Sequence, residues 1–126
     1  MRYLVDTHVL IWFLEGDERL SETHKKILEN QENQILVSDA SFWELAIKIS
    51  IKKLELQCPF EELKSLLEGH GIHSLPIAFP HFNKLLSLPI HHGDPFDRLI
   101  IAQAMVEKLP VLSADFHFQA YAIELI

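Results

Sequence analysis

Asp94 and Asp97 stand three residues apart at the mouth of an apolar stretch, in His91-His92-Gly93-Asp94-Pro95-Phe96-Asp97-Arg98, and two chemistries are open to them. One is helix capping, with Asp94 as N-cap, Pro95 at the first helical position and Asp97 in the first turn, each favoured by free backbone N–H groups and the helix dipole. The other is metal binding, in which Asp97 joins carboxylates from elsewhere in the chain, namely Asp6, Glu44 and Asp115. Those three have local explanations as well: Asp6 caps a helix opening at Thr7, Asp115 caps a turn at Phe116, and Glu44 makes a weak i,i+4 surface pair with Lys48. Gathered at one place, however, four carboxylates repel one another, and their pKa values rise unless a cation is present. All-oxygen ligation selects hard ions such as Mg2+ or Mn2+, which keep several waters and bind phosphate oxygens. One ion, or two about 4 Å apart, can deprotonate a water, aim it in line and stabilise the leaving oxygen of a phosphodiester.

Whether the acids meet depends on the elements that carry them. Tyr3-Leu4-Val5 reads as a buried strand that stops at Asp6, before a very apolar helix through Val9-Leu14 that ends near Gly16. Leu20–Glu29 reads as a helix with Ser21 as N-cap, and Gln34–Val37 as a second buried strand. The next helix carries Phe42, Leu45, Ala46 and Ile49 on one apolar stripe, with Glu44 off it. Further helices are predicted over Phe60–Glu68, with Pro59 at its first position, over Phe79–Leu88 and over Phe96–Lys108. Further strands are predicted at Ile72–Leu75, Pro110–Ser113 and Tyr121–Ile126. Short apolar strands alternating with amphipathic helices indicate an α/β fold, a three-layer α/β/α sandwich around a central parallel sheet. Ligands of such sheets bind outside the carboxyl ends of the strands, so Asp6, Glu44, Asp97 and Asp115 can share one rim.

Composition sets the outer limits. A chain of 126 residues that is 48% hydrophobic suits one domain spanning residues 1–126, and no repeat or low-complexity tract divides it. Eighteen acidic against eleven basic side chains give a net charge of −7, which repels nucleic acid and anionic membranes. A phosphate-bearing substrate therefore needs a local remedy, and a bound divalent ion, which reverses the sign of the nearby field, is one. The single cysteine, Cys58, forms no internal disulfide, and no Cys/His spacing matches a structural zinc site. The longest apolar run, Val9–Leu14, is too short to span a bilayer, and Asp6 interrupts the first apolar segment, unlike a signal peptide. The expectation is a cytoplasmic protein with no membrane partner.

At four places the residues resemble the PIN-domain ribonucleases that serve as toxins of bacterial and archaeal toxin–antitoxin pairs (VapC-like). These are Leu4-Val5-Asp6-Thr7-His8, Ser41-Phe42-Trp43-Glu44-Leu45 with Lys48, His92 through Ala104, and Val111-Leu112-Ser113-Ala114-Asp115, in family order over almost the whole chain. The resemblance implies a PIN-like sandwich and metal-dependent endoribonuclease activity, with Asp6, Glu44, Asp97 and Asp115 holding Mg2+ or Mn2+. It further implies a homodimer and a cognate antitoxin that occupies the substrate groove and presents a basic side chain to the acids. Two departures stand out: Ser113 where threonine is commoner, still a hydroxyl able to orient an acid or a metal-bound water, and Ala122 after Tyr121 where glycine is usual.

Several residues keep two readings. Thr7 can bond Asp6 or a substrate phosphate, or merely cap a helix; Asp94 can be a cap or a supporting acid. Arg98 can neutralise phosphate, balance Asp94 or lie solvated on a helix. Lys48, Lys52 and Lys53 form the notable basic cluster, suited to an RNA backbone near Glu44 or to a solvated helix end. His91 and His92, adjacent in a loop, should point apart, and no third ligand lies at a suggestive spacing. The Val9–Leu14 run is apolar on every side, as a subunit or partner interface or a fully covered helix would be. Two competing functions remain: a PIN fold kept as a non-catalytic RNA-binding or scaffold module, and a Mg-binding receiver-type signalling domain. The receiver pattern requires adjacent acids after the first strand and a lysine after the last, whereas this chain has one such acid and no lysine beyond Lys108.

Overall fold

Four short apolar runs become four parallel strands in a computed structural model that describes residues 1–126. They are β1 (Arg2–Val5), β2 (Gln34–Ser38), β3 (Ile72–Leu75) and β4 (Val111–Leu112), in the order β3-β2-β1-β4. Six helices connect them: α1 (Thr7–Glu15), α2 (Glu22–Glu29), α3 (Asp39–Ser50), α4 (Leu63–Gly69), α5 (Phe79–Ser87) and α6 (Pro95–Glu107).

Alternation along each strand builds a core on both faces. Tyr3, Val5, Ile35, Val37 and Ile72 pack with Val9 and Leu10 of α1, Leu28 of α2 and Leu63 and Leu67 of α4. On the other face Leu4, Leu36 and Val111 meet Ile100, Ile101 and Ala104 of α6, together with Phe118. The three-layer α/β/α sandwich expected from the sequence is therefore what forms.

Helix starts follow local chemistry. Asp6, Ser21, Ser38 and Asp94 each accept a backbone N–H from the first turn of α1, α2, α3 and α6. Gly16 ends α1 with φ 64°, a left-handed conformation that glycine adopts without steric penalty.

Two expectations need correction, and one open reading is decided. Tyr121–Ile126 is not a strand: it contributes one bridge, Leu125 to Val111, because Tyr121 is buried in the core against α6 and the tail meets β4 only beyond it. Phe60–Glu68 is not one helix. A 3-10 turn at Phe60–Glu62 precedes α4, and neither Pro59 nor Glu62 provides a side-chain cap to hold a regular first turn. The Val9–Leu14 run is largely covered by its own chain, since Trp12, Phe13 and Leu14 pack against the core. The most exposed apolar side chains lie instead on α5 and just after it, where Phe79, Leu86 and Ile90 are 79%, 87% and 84% exposed. No helix is long and apolar enough to cross a membrane.

Candidate metal centre at the carboxyl edge of the sheet

The chain builds β1, β2 and β3 outward on one side and then returns to place β4 on the other side of β1. A crevice opens at such a reversal, outside the carboxyl ends of the two strands. Register decides what stands there. Val5 pairs with Leu112, and the Asp6 N–H donates to the Leu112 carbonyl at 3.0 Å, which brings Asp6 alongside Ser113. One Asp6 oxygen, Oδ1, accepts the Val9 N–H at 2.8 Å and so caps α1, while Oδ2 accepts the Ser113 hydroxyl. The Asp115 N–H donates to that same hydroxyl at 3.0 Å, so Ser113 links the two aspartates and orients an acid, as its position suggested.

Glu44 and Asp97 arrive from the helices α3 and α6, which pack on each other. Glu44 is not the surface residue its place off the stripe suggested: it is 7% exposed, its Oε2 lies 3.4 Å from Lys48 Nζ, and its Oε1 is buried without a hydrogen-bond partner. Asp97 sits in the first turn of α6, its N–H donated to Asp94 Oδ1 at 3.0 Å and its Oδ2 2.8 Å from His92 Nε2.

The electrostatics follow from this crowding. Burial pushes the Asp97 carboxyl up to about 6; the His92 bond opposes this, and the charges of Asp94, Glu44 and Asp6 reinforce it. Burial likewise raises Asp6, against its bonds to Ser113 and Val9 and the charge of His8, with Asp115 adding to the rise. For Asp115 burial acts upward too, but the His117 backbone and ring bonds and the charges of His117 and His92 together hold it below its ordinary value.

Histidines were the part of the site that spacing did not reveal. His92 and His117 stack with ring centroids 4.7 Å apart and planes 7° from parallel. His117 Nδ1 lies 2.8 Å from Asp115 Oδ1, and His92 Nε2 lies 3.9 Å from Asp115 Oδ2. Adjacent histidines do diverge, for the His91 ring turns to Tyr121 at 5.2 Å. The groups that do approach His92, namely Asp115 and His117, follow β4 and lie outside the His91–Asp97 segment. An Asp-x-His step at Asp115–His117 was the available hint, and it is too common to carry weight alone. Trp43 and Phe96, chain neighbours of Glu44 and Asp97, also went unread. They meet edge to face at 5.1 Å, with Trp43 61% exposed, and form an aromatic rim to the acids.

The remaining candidates resolve plainly. Thr7 touches neither Asp6 nor open solvent; its hydroxyl donates to Ser41 Oγ at 2.8 Å and ties α1 to α3. Arg98 is neither solvated nor paired with Asp94, because its guanidinium donates to the Pro89 carbonyl at 2.9 Å and to Tyr121 Oη at 3.3 Å, clamping the loop before α6. Asp94 is the cap of α6. Lys48 stands at the acids through Glu44, whereas Lys52 and Lys53, past the end of α3, line a separate hollow of about 630 Å³ that contains none of them.

A buried carboxylate oxygen without a partner, near an aspartate pushed to about 6, fits a divalent cation, and the donors here are carboxylate oxygens with the His92 imidazole among them, 2.8 Å from Asp97. Asp6, Glu44, Asp97 and Asp115 are the groups able to hold it.

Known proteins resemble this chain in sequence and in fold. The PIN domain family model matches residues 3–124. Ribonuclease VapC22 of Mycobacterium tuberculosis is 26% identical over 119 residues, covering 94% of this chain and 90% of that protein. Among solved structures, VapBC2 from Rickettsia felis, bound to a DNA fragment from its promoter, superposes with a TM-score of 0.71 at 15% identity, covering 100% of this chain and 98% of that one. A toxin–antitoxin complex from Klebsiella pneumoniae gives a TM-score of 0.64 at 17% identity, covering 98% and 95%. At those identities the likeness is one of fold.

Proposed function

The chain belongs to the PIN-domain family, and from that premise we propose that it is a metal-dependent endoribonuclease, the toxin of a toxin–antitoxin pair. The observation that carries the reading is the buried, partnerless Glu44 Oε1 near Asp97, whose carboxyl burial, reinforced by the charges of Asp94, Glu44 and Asp6, pushes up to about 6. Asp6, Glu44, Asp97 and Asp115 hold Mg2+ or Mn2+ in this reading. Such an ion lowers the pKa of a water and neutralises charge at a phosphodiester.

The chain's own residues do the positioning. Ser113 and the Val9 N–H fix both oxygens of Asp6, so that carboxylate cannot rotate away from the crevice. Lys48 holds one oxygen of Glu44 and leaves the other free. Trp43 and Phe96 offer a face on which a nucleobase can stack, an interaction that tolerates any base.

The ribonuclease name of the Mycobacterium tuberculosis relative supports the activity, and the toxin–antitoxin complexes of like fold support an antitoxin partner. The open apolar face of Phe79, Leu86 and Ile90 supports a protein neighbour, which we take to be a second copy, and residues 1–126 act as one cytoplasmic nuclease domain.

The test is to incubate purified, antitoxin-free protein with total cellular RNA, with Mn2+, with Mg2+ and with chelator, and to map the cut ends. Discrete cuts that disappear with chelator are expected. RNA bound but uncut under all three conditions would leave a binding module in place of the enzyme.

A further inference from the structure

We propose that His92, His117 and Asp115 form a second metal site, contiguous with the carboxylate pocket, that takes a divalent ion of the imidazole-binding class, Zn2+ or Co2+, rather than Mg2+. One ligand atom from each residue lies within 4.8 Å of the others. Around a tetrahedral ion about 2.1 Å from each ligand, donor atoms stand roughly 3.4 Å apart. His117 Nδ1 lies 2.8 Å from Asp115 Oδ1 and His92 Nε2 3.9 Å from Asp115 Oδ2, so the two imidazoles approach opposite oxygens of one carboxylate, and side-chain rotations must bring one donor from each residue to the common spacing.

Donor chemistry separates this site from its neighbour. Asp6, Glu44 and Asp97 offer only oxygen, which suits Mg2+ and Mn2+, whereas two imidazole nitrogens favour zinc-like ions and are poor partners for magnesium. The surroundings hold the ligands ready. The His117 N–H donates to Asp115 Oδ1 at 3.0 Å, Phe116 stacks on the His117 ring at 4.3 Å, and the His92 N–H is anchored on Tyr121 Oη at 3.0 Å. Bonds of this kind, one step out from the ion, orient ligands in known metal sites. The three ligands leave open positions for water, and His117, 45% exposed at its side chain, provides the way in. Asp115 belongs to both sites, and His92 Nε2, 2.8 Å from Asp97 Oδ2, exchanges that contact for the ion, but occupancy of this site requires no RNA and no cleavage.

The test titrates the whole tag-free chain with Zn2+ by calorimetry and with Co2+ by visible absorption. We expect one tight Zn2+, Co2+ bands of a nitrogen-containing coordination sphere, and at least about tenfold weaker Zn2+ binding in His117→Asn and in His92→Asn. His91→Asn, whose ring faces Tyr121, should bind as the parent does. Should His92→Asn unfold, the exposed His117→Asn carries the result. Unchanged Zn2+ affinity in a folded His117→Asn, or a Co2+ spectrum of an all-oxygen ion, overturns the proposal. Neither result bears on Mn2+-dependent RNA cleavage, which is assayed separately, so the two readings can fail independently.

Discussion

Asp6 and Asp94 open α1 and α6 by the same device, each accepting a backbone N–H three residues on, from Val9 at 2.8 Å and from Asp97 at 3.0 Å. Their second oxygens part company. Asp6 is 2% exposed, its Oδ2 is held by a serine 107 residues away, and burial raises its pKa. Asp94 is half-buried, and its side chain serves the helix it caps. Capping is a local interaction and looks alike at both mouths. What distinguishes a site acid from a cap is the neighbour that the sheet register brings to its other face.

Exchanging the acids tests that distinction. Asp6→Asn should lower metal-dependent RNA cleavage by at least about a hundredfold, roughly 2.7 kcal/mol, without lowering the metal-free Tm, because asparagine is an equally good cap and removes a carboxylate that burial disfavours. A cleavage rate within a few-fold of the parent would erase the difference between the two mouths.

Asp97→Asn probes the acid between them. A carboxyl whose pKa rises on folding, here from 3.8 to about 6, binds more protons folded than unfolded across that interval, so stability falls as pH rises through it. At pH 7 and without metal, Asp97→Asn should therefore stabilise the chain by about 1–2 kcal/mol, discounting for partial exposure. The gain should vanish near pH 4, and added Mn2+ should raise Tm in the parent more than in the variant. Chelated melts at the two pH values, repeated with Mn2+, read this directly.

Asp94→Ala has the smallest expected effect. Loss of the cap should cost about 1 kcal/mol in denaturant unfolding, with cleavage at 25 °C staying within a few-fold. A hundredfold loss of cleavage would move Asp94 from the helix to the site.

The elements and the acids differed in how readable they were. Strand, acid, helix at Leu4-Val5-Asp6-Thr7 was legible because burial on both sheet faces demands unbroken apolar runs, and because caps have short-range signatures. The tail was misread because Tyr121–Ile126 has strand-like composition, while β4 offers it only one bridge. Phe60–Glu68 was misread because nothing in its pattern distinguishes a 3-10 first turn from an α-helical one. Glu44 kept a surface pair with Lys48 as its alternative to a place among the acids, since helical spacing says which residues are neighbours but not which face α6 will cover. Arg98 seemed free for the same reason: its partners at Pro89 and Tyr121 belong to loops with no periodicity.

By itself the sequence determined the α/β class, the caps, the short buried strands and the identity of four acids able to gather, because these depend on residue type and spacing within a few positions. Tertiary structure alone decided that Asp6 would meet Ser113 and Asp115, that Glu44 would be buried with one oxygen unmatched, and that His92 and His117 would stack beside them. Asp6 and Ser113 stand 107 positions apart and His92 and His117 25, and the parallel register of β1 with β4 brings the first pair together as the packing of α3 on α6 covers Glu44.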